Sequence, residues 1–391
     1  MAKSKSDILS KKPATRFVLA GQGHTANGFV NPPVYRGSTV LFPDLATLAT
    51  GNQPYTYGTH GTPTVRALEE AVARLEGGYR TRLFCSGLAA VTVPLLAFLK
   101  QGDHVLMVDS VYGPNRRFCD TLLPNYGVSV SYYDPLIGAG IADLIRPNTR
   151  VVFTESPGSH TMEVQDIPAI AEAAHKAGAL VMIDNTWGAG HYFNAFAHGC
   201  DLSIQAATKY IGGHSDVLMG TVTCTAACFQ QFDTTYEILG QCVSGDEAAL
   251  ALRGLRTMDV RMERHMKNAI TVAEWLKARP EVARVLYPAL AGDPGHELWK
   301  RDFSGAAGLF TIILKPVTQK AVAALVDGLE LFGIGYSWGG YESLVVPTHP
   351  VRTATRWQPE GPALRLQIGL EDPADLIADL AAGFKRLQAS A

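Results

Sequence analysis

The sequence predicts an α/β protein: a large mixed-sheet domain covered by helices, followed by a smaller C-terminal α/β domain. Three observations lead there. Through the middle of the chain, short β-type runs alternate with helical stretches, the rhythm of strand-helix-strand units with right-handed crossovers. Several of those runs, HVLMVD (104–109), RVVFTE (150–155) and ALVMID (179–184), are apolar almost throughout rather than alternating, as strands buried on both faces are. Beyond about residue 245, a long helical stretch through Arg256 to Ala278 leads into VARVLYP, GLFTIIL and LRLQIGL with helices between them, which forms the second, smaller unit.

The elements follow in order. Residues 1–60 carry turn formers (Asn31-Pro32-Pro33, Gly51-Asn52, Pro54) and little periodicity, so they read as an extended arm that needs something to pack on. The sheet domain is expected over 61–245 and the C-terminal domain over 246–391. Thr64 to Leu75 is an amphipathic helix closed by Gly77-Gly78, and Ser86-Gly87 opens a second helix over Leu88 to Lys100. Asp166 and Pro168 start a third helix that Gly178 stops, and DLSIQAA (201–207) is the strand after ALVMID.

Composition narrows the function. With 391 residues, 47% hydrophobic and 18% charged, the chain has ample material for a core and no signature of disorder. A net charge of -2 with scattered basic residues leaves no footprint for nucleic acid or an anionic membrane, so the expected partner is a small molecule. The basic start MAKSKSDILSKK lacks the apolar core of an export signal. The longest apolar stretch, Leu88 to Leu99, falls short of the roughly 20 residues that cross a bilayer. Six cysteines without a CxxC pair suit reduced thiols in the cytoplasm, with no disulfide and no structural zinc expected.

In open α/β sheets, ligands collect where strands end, so the polar residues just past each apolar run are the candidates. ALVMID ends in Asp184, a carboxylate that burial leaves uncompensated unless a cation or donors meet it. Alone, such an Asp is more often a helix cap or one half of a buried salt bridge. The next strand leads into Thr208-Lys209-Tyr210, and a lysine desolvated there has a lowered pKa and can react with a carbonyl, although a lone lysine more often snorkels to solvent. The pairing is more telling: an Asp and a Lys about 25 residues apart, at neighbouring strand ends, match what a pyridoxal ring needs at its two ends. Ser86-Gly87-Leu88 before an apolar helix offers an anion site or a simple N-cap. GQGHTANG (21–28) lacks a preceding strand and has its third Gly misplaced for a dinucleotide loop; His214 and Asp216 beside glycines read as turn residues, and no metal site is expected.

Five longer stretches, Asp184 to Trp187, SIQAATKYIGGHSD (203–216), ESPGSHTMEV (155–164), YSWGGYESL (336–344) and LRLQIGLED (364–372), resemble the Cys/Met-metabolism family of pyridoxal-phosphate enzymes, from roughly Asn31 to the C-terminus. Within it they look most like the bacterial β-lyases. The resemblance implies the aspartate-aminotransferase type of fold, pyridoxal 5'-phosphate as cofactor, a homotetramer of close dimers, and active sites shared between subunits. Residue by residue it makes Lys209 the cofactor-bearing lysine and general base, Asp184 the partner of the pyridine nitrogen, and Tyr112 the ring stacked on the cofactor. Thr208, Gly87 and the backbone of Leu88 would hold the phosphate, Arg365 with Ser337 would clamp a substrate carboxylate, and Tyr57 would reach in from the neighbouring subunit.

The implied reaction is β-elimination of L-cystathionine to homocysteine, pyruvate and ammonia, in methionine biosynthesis. Trp338, where γ-acting relatives more often carry a small aliphatic residue, and Ser159, where many have Asn, favour β- over γ-chemistry, which is the alternative. Thr59 departs from the pattern, because relatives carry a phosphate-binding arginine there. Either cofactor affinity is weaker for it, or another cation such as His60 or Arg36 substitutes. Ala206 likewise stands where many relatives have a phosphate-binding serine.

Overall fold

The computed structural model describes residues 11–390; the first ten residues of the basic N-terminal segment lie outside it. Two sheets organise the chain. The first contains β1 (Arg80–Phe84), β2 (His104–Val108), β3 (Ser129–Tyr133), β4 (Thr149–Glu155), β5 (Leu180–Asp184), β6 (Leu202–Gln205) and β7 (Gly220–Cys224), in the spatial order β1-β7-β6-β5-β4-β2-β3. Strands β2 to β6 are parallel, and β7 runs against both β6 and β1, so the sheet is mixed, as expected. The second contains β8 (Val282–Leu286), β9 (Leu309–Leu314), β10 (Gly333–Ile334), β11 (Leu344–Thr348) and β12 (Ala363–Gln367), in the order β10-β11-β12-β9-β8.

The helices begin and end where their caps dictate. Thr62 Oγ1 accepts from the Val65 amide, Pro63 occupies the first turn, and Gly77 ends the helix Pro63–Glu76 in the left-handed region at φ 76°. Ser86 caps Gly87–Phe98 by accepting from the Ala89 amide at 3.1 Å; the helix stops two residues before the expected Lys100, where Leu99 turns extended. The long helical stretch around Arg256 is two helices, Gly245–Arg256 and Met258–Lys277, separated at Thr257. Gly254 lies in the first because a Cβ there would run into the carbonyls of Ile211 and Gly212, just past the lysine-bearing turn. From the second, Arg261 donates to the Tyr210 and Gly254 carbonyls, each at 2.8 Å, tying that turn to the helix pair.

Three strands of the large sheet carry polar residues that mask their apolar period. In β1, Arg82 is buried because its guanidinium meets Asp233 at 2.5 Å and Glu69 at 3.4 Å, while Thr81 pairs its hydroxyl with Thr223 of β7 at 2.7 Å. In β3, Ser129 is exposed and Tyr133 buried. The N-terminal arm is also less uniform than its turn formers imply. Pro13–Val18 forms a short helix that seats Phe17 in the core, whereas Phe29, Val30 and Leu41 stay largely exposed.

The second sheet closes on Phe310, a fully buried residue of the interior strand β9 whose ring lies 5.2 Å from that of Tyr287. Phe310→Ala leaves a cavity there and should cost about 3–5 kcal/mol, read as an earlier denaturant midpoint.

Candidate active site

Strands β5 and β6 are parallel neighbours with Asp184 opposite Ile204, so the residues that follow them emerge side by side at one edge of the sheet. Thr186 ties the two exits together. Its amide and hydroxyl donate to Asp184 Oδ1 at 3.0 and 2.5 Å, and its Oγ1 accepts from the Ala206 amide at 2.9 Å. Burial raises the Asp184 carboxyl, and the Thr186 hydrogen bonds and the Lys209 charge oppose that rise.

Lys209 lies three residues beyond Ala206, in a turn closed by its own amide on the Ala206 carbonyl at 2.9 Å. Its Nζ donates to Ser337 Oγ at 2.6 Å and stands 5.3 Å from the centroid of the Trp338 ring. Burial, helped by the nearby Arg365 charge, lowers the amine to about 8 against the opposing pull of Asp184. A fraction of Lys209 is therefore neutral near physiological pH, as a nucleophile or base must be.

Ser337 and Trp338 belong to the connection between β10 and β11. Ser337 has φ 80° and Gly339 φ 82°, and a Cβ on Gly339 would come within 3.0 Å of the Lys209 backbone, so this turn lies directly on the lysine. The Ser337 carbonyl accepts from Arg365 Nη2 at 2.8 Å, and Arg365, on β12, is 8% exposed with Nε unpartnered. Burial brings its guanidinium down to about 10, still charged at neutral pH. A buried, charged fork with a spare donor is a ready site for a carboxylate.

Tyr112 flanks the same cleft. Its amide donates to Glu155 Oε2 at 2.7 Å, and burial followed by the charges of Asp184 and Glu155 raises its phenol. Glu155 had no role assigned from sequence, yet it sits opposite Asp184 in the β4–β5 register, and burial together with that neighbouring carboxylate drives it well above the usual range. His160 is another buried group near Arg365, lowered to about 4 by burial and by that positive charge. Both lie in the ESPGSHTMEV stretch, but that stretch gives neither a role, because only the sheet register and the loop fold bring them to the cleft.

Gly87 supplies a cradle: a Cβ there would meet Ala206 Cβ at 2.7 Å, and one on Gly220 would crowd Gly87 in turn. Close packing of Gly87, Ala206 and Gly220 requires glycine at 87 and 220. It brings the start of the helix Gly87–Phe98, with the free Gly87 and Leu88 amides, beside the Lys209 turn. The Thr208 hydroxyl exchanges hydrogen bonds with the Met219 backbone at 3.0 and 3.2 Å. Tyr57 is half-exposed on the arm, and its ring meets His60 at 6.4 Å; among the described residues no hydrogen bond or ring contact joins it to Lys209 or Arg365. Arg36 is bidentate on Asp246 at 2.5 and 2.8 Å, and His60 Nδ1 pairs with Thr56 Oγ1 at 2.8 Å, so within one chain both candidate substitutes for an arginine at 59 are engaged.

A depressed lysine, a buried carboxylate behind it, a small-residue cradle at a helix start and a carboxylate fork together fit an aromatic aldehyde phosphate and its amino-acid substrate. The chain matches the model of the Cys/Met metabolism PLP-dependent enzyme family over residues 14–385. It belongs to that family. A putative cystathionine β-lyase of Rhizobium johnstonii is 54% identical over 92% of this chain and 92% of its own. The cystathionine β-lyase of Escherichia coli K12 is 47% identical over 97% of this chain and all of its own. Among solved structures, a cystathionine γ-synthase of Xanthomonas oryzae in complex with aminoacrylate and cysteine superposes with a TM-score of 0.90 at 34% identity, over 97% of this chain and all of that one. Pyridoxal phosphate is the cofactor of this Cys/Met-metabolism enzyme.

The depressed Lys209 amine makes a prediction with a definite sign. Only the neutral amine attacks the cofactor aldehyde, so capture of pyridoxal phosphate by the cofactor-free protein, followed by absorbance, should quicken as pH rises and level off above about 8. A Lys209→Ala protein should lack that pH-dependent phase.

Proposed function

We propose that this chain is a carbon–sulfur β-lyase that converts L-cystathionine to homocysteine, pyruvate and ammonia. The observation that carries the reading is the single cluster joining Lys209 Nζ, Ser337 and Arg365, with Asp184 behind it and Trp338 over it. Identities of 47% and 54% to proteins named as β-lyases support it too. Within the site, Asp184 would meet the pyridine nitrogen, and Gly87, Leu88 and Thr208 the phosphate.

When bound, the cofactor supplies the electron sink that allows a Cα–H bond to break. The chain's own residues do the rest. Arg365, anchored on the Ser337 carbonyl, takes the substrate carboxylate and orients the Cα–H bond toward Lys209. Lys209 Nζ accepts that proton as general base, and Ser337 Oγ fixes the direction of its approach. The phenol of Tyr112, kept protonated by its raised pKa, can give a proton to the departing sulfur. The Trp338 indole walls the cleft beside Lys209 and touches Tyr210 at 5.6 Å, which leaves less room for the longer reach of γ-chemistry.

The chain is further proposed to divide into an arm (1–60), a cofactor-binding domain (61–245) and a C-terminal domain (246–391), and to act as a homotetramer of close dimers. The exposed Phe29, Val30, Leu41 and Tyr57 of the arm support such an assembly, because a lone chain leaves that apolar surface in water. A cytoplasmic location is proposed from the six free cysteines. Among the described residues no helix is long and apolar enough to cross a membrane.

Incubation of the cofactor-loaded protein with L-cystathionine should release pyruvate and homocysteine; 2-oxobutyrate with cysteine would move the assignment to γ-elimination. Lys209→Ala should abolish turnover, and Arg365→Lys, which loses the bidentate fork, should raise KM by about ten-fold or more.

A further inference from the structure

The connection between β11 and β12 crosses from the second sheet to the first, where the Asp109 carboxylate collects most of its hydrogen bonds. Asp109 directly follows β2, and its side chain is completely buried. Three consecutive amides of the connection donate to it: Thr353 at 2.9 Å, Ala354 at 3.0 Å and Thr355 at 2.7 Å. The hydroxyls of Thr353 and Thr355 add bonds at 3.2 and 2.8 Å, and Arg116 closes the set at 2.6 Å. Burial opposes ionisation of Asp109, but these donors more than offset it and hold the carboxyl below its ordinary range. One residue upstream, Arg352 donates to Thr161 Oγ1 at 2.5 Å and Glu163 Oε1 at 2.7 Å, so the same strap also holds the loop containing Ser159 and His160.

The positions of the gripped segments matter. Asp109 and Arg116 bracket Tyr112 in sequence, and the chain leaves the strap through residues 356–362 to enter β12, which carries Arg365. Tyr112 follows a strand of the first sheet, Arg365 lies on a strand of the second, and the bonds from Thr353–Thr355 to Asp109 tie the two sides together. We infer that Asp109 is a positioning residue: by gripping Thr353–Thr355 it sets the distance between Tyr112 and Arg365, and so how well one amino acid is held by its amine and carboxylate together. This role rests on the proposed site but not on the type of elimination carried out there.

The test uses the cofactor-loaded protein and glycine, which has the amine and carboxylate but no leaving group, titrated by the change in cofactor absorbance. Asp109→Asn keeps the shape but turns an amide toward the strap's N–H donors and leaves Arg116 without its counter-charge. The glycine Kd should rise at least about ten-fold while the absorbance of the free holoenzyme stays unchanged. Thr355→Val removes the hydroxyl that donates to Asp109 at 2.8 Å and accepts from Arg352 Nη1 at 3.1 Å, and should raise it about three-fold. A lowered melting temperature with an unchanged glycine Kd would make Asp109 a purely structural clamp and overturn the inference. If Asp109→Asn does not fold, an unchanged Kd in Thr355→Val does the same. Wild-type protein that binds glycine but releases no pyruvate from L-cystathionine would count against the β-lyase reading and leave this inference standing.

Discussion

An amine and a carboxylate are desolvated together at the ends of two adjacent parallel strands, and the site is built around keeping both there. Neither charge is stable alone in an apolar interior. Asp184 is satisfied by Thr186, which at the same time fastens the exit of β6, and Lys209 is satisfied by a serine that belongs to the other sheet. Arg365 then adds a second positive charge near the first, which pushes the Lys209 amine toward its neutral form and leaves a spare guanidinium donor facing the cleft. The reactivity of the lysine thus follows from the burial and the neighbours together.

Such burial demands close approach of backbones, and small residues provide it at three points. Gly87, Ala206 and Gly220 let a helix start come up against the strand ends, Gly254 lets a helix lie on the turn after Lys209, and Gly339 lets the Ser337 turn sit on the lysine itself. A side chain at any of these positions would push apart elements that must touch.

The second sheet contributes chemistry as well as cover. Ser337, Trp338 and Arg365 all come from β10–β12 and their connections, while Asp184, Lys209, Tyr112 and Glu155 come from the first sheet, so the cleft exists only while the two sheets stay docked. Tyr57 and Tyr336 are 47% and 92% exposed in the single chain.

The apolar runs of β2, β4, β5 and β6, the caps at Thr62 and Ser86 and the strand-end pair Asp184 and Lys209 were legible in the sequence, because burial on both faces and orphan helix amides leave local patterns. Strands β1 and β7 were not, since Arg82 and the threonines are buried by partners far along the chain, and local polarity cannot report a distant partner. The single long helix expected around Arg256 became two, because Gly254 and Thr257 answer to the turn beneath them. Residue types alone therefore determined the architecture's rhythm and the paired strand-end lysine and aspartate. Only the tertiary structure decided that Glu155 lies beside Asp184, that His160 lies near Arg365 and that Asp109 grips the 353–355 strap, because each depends on strand register and loop closure between segments separated in sequence.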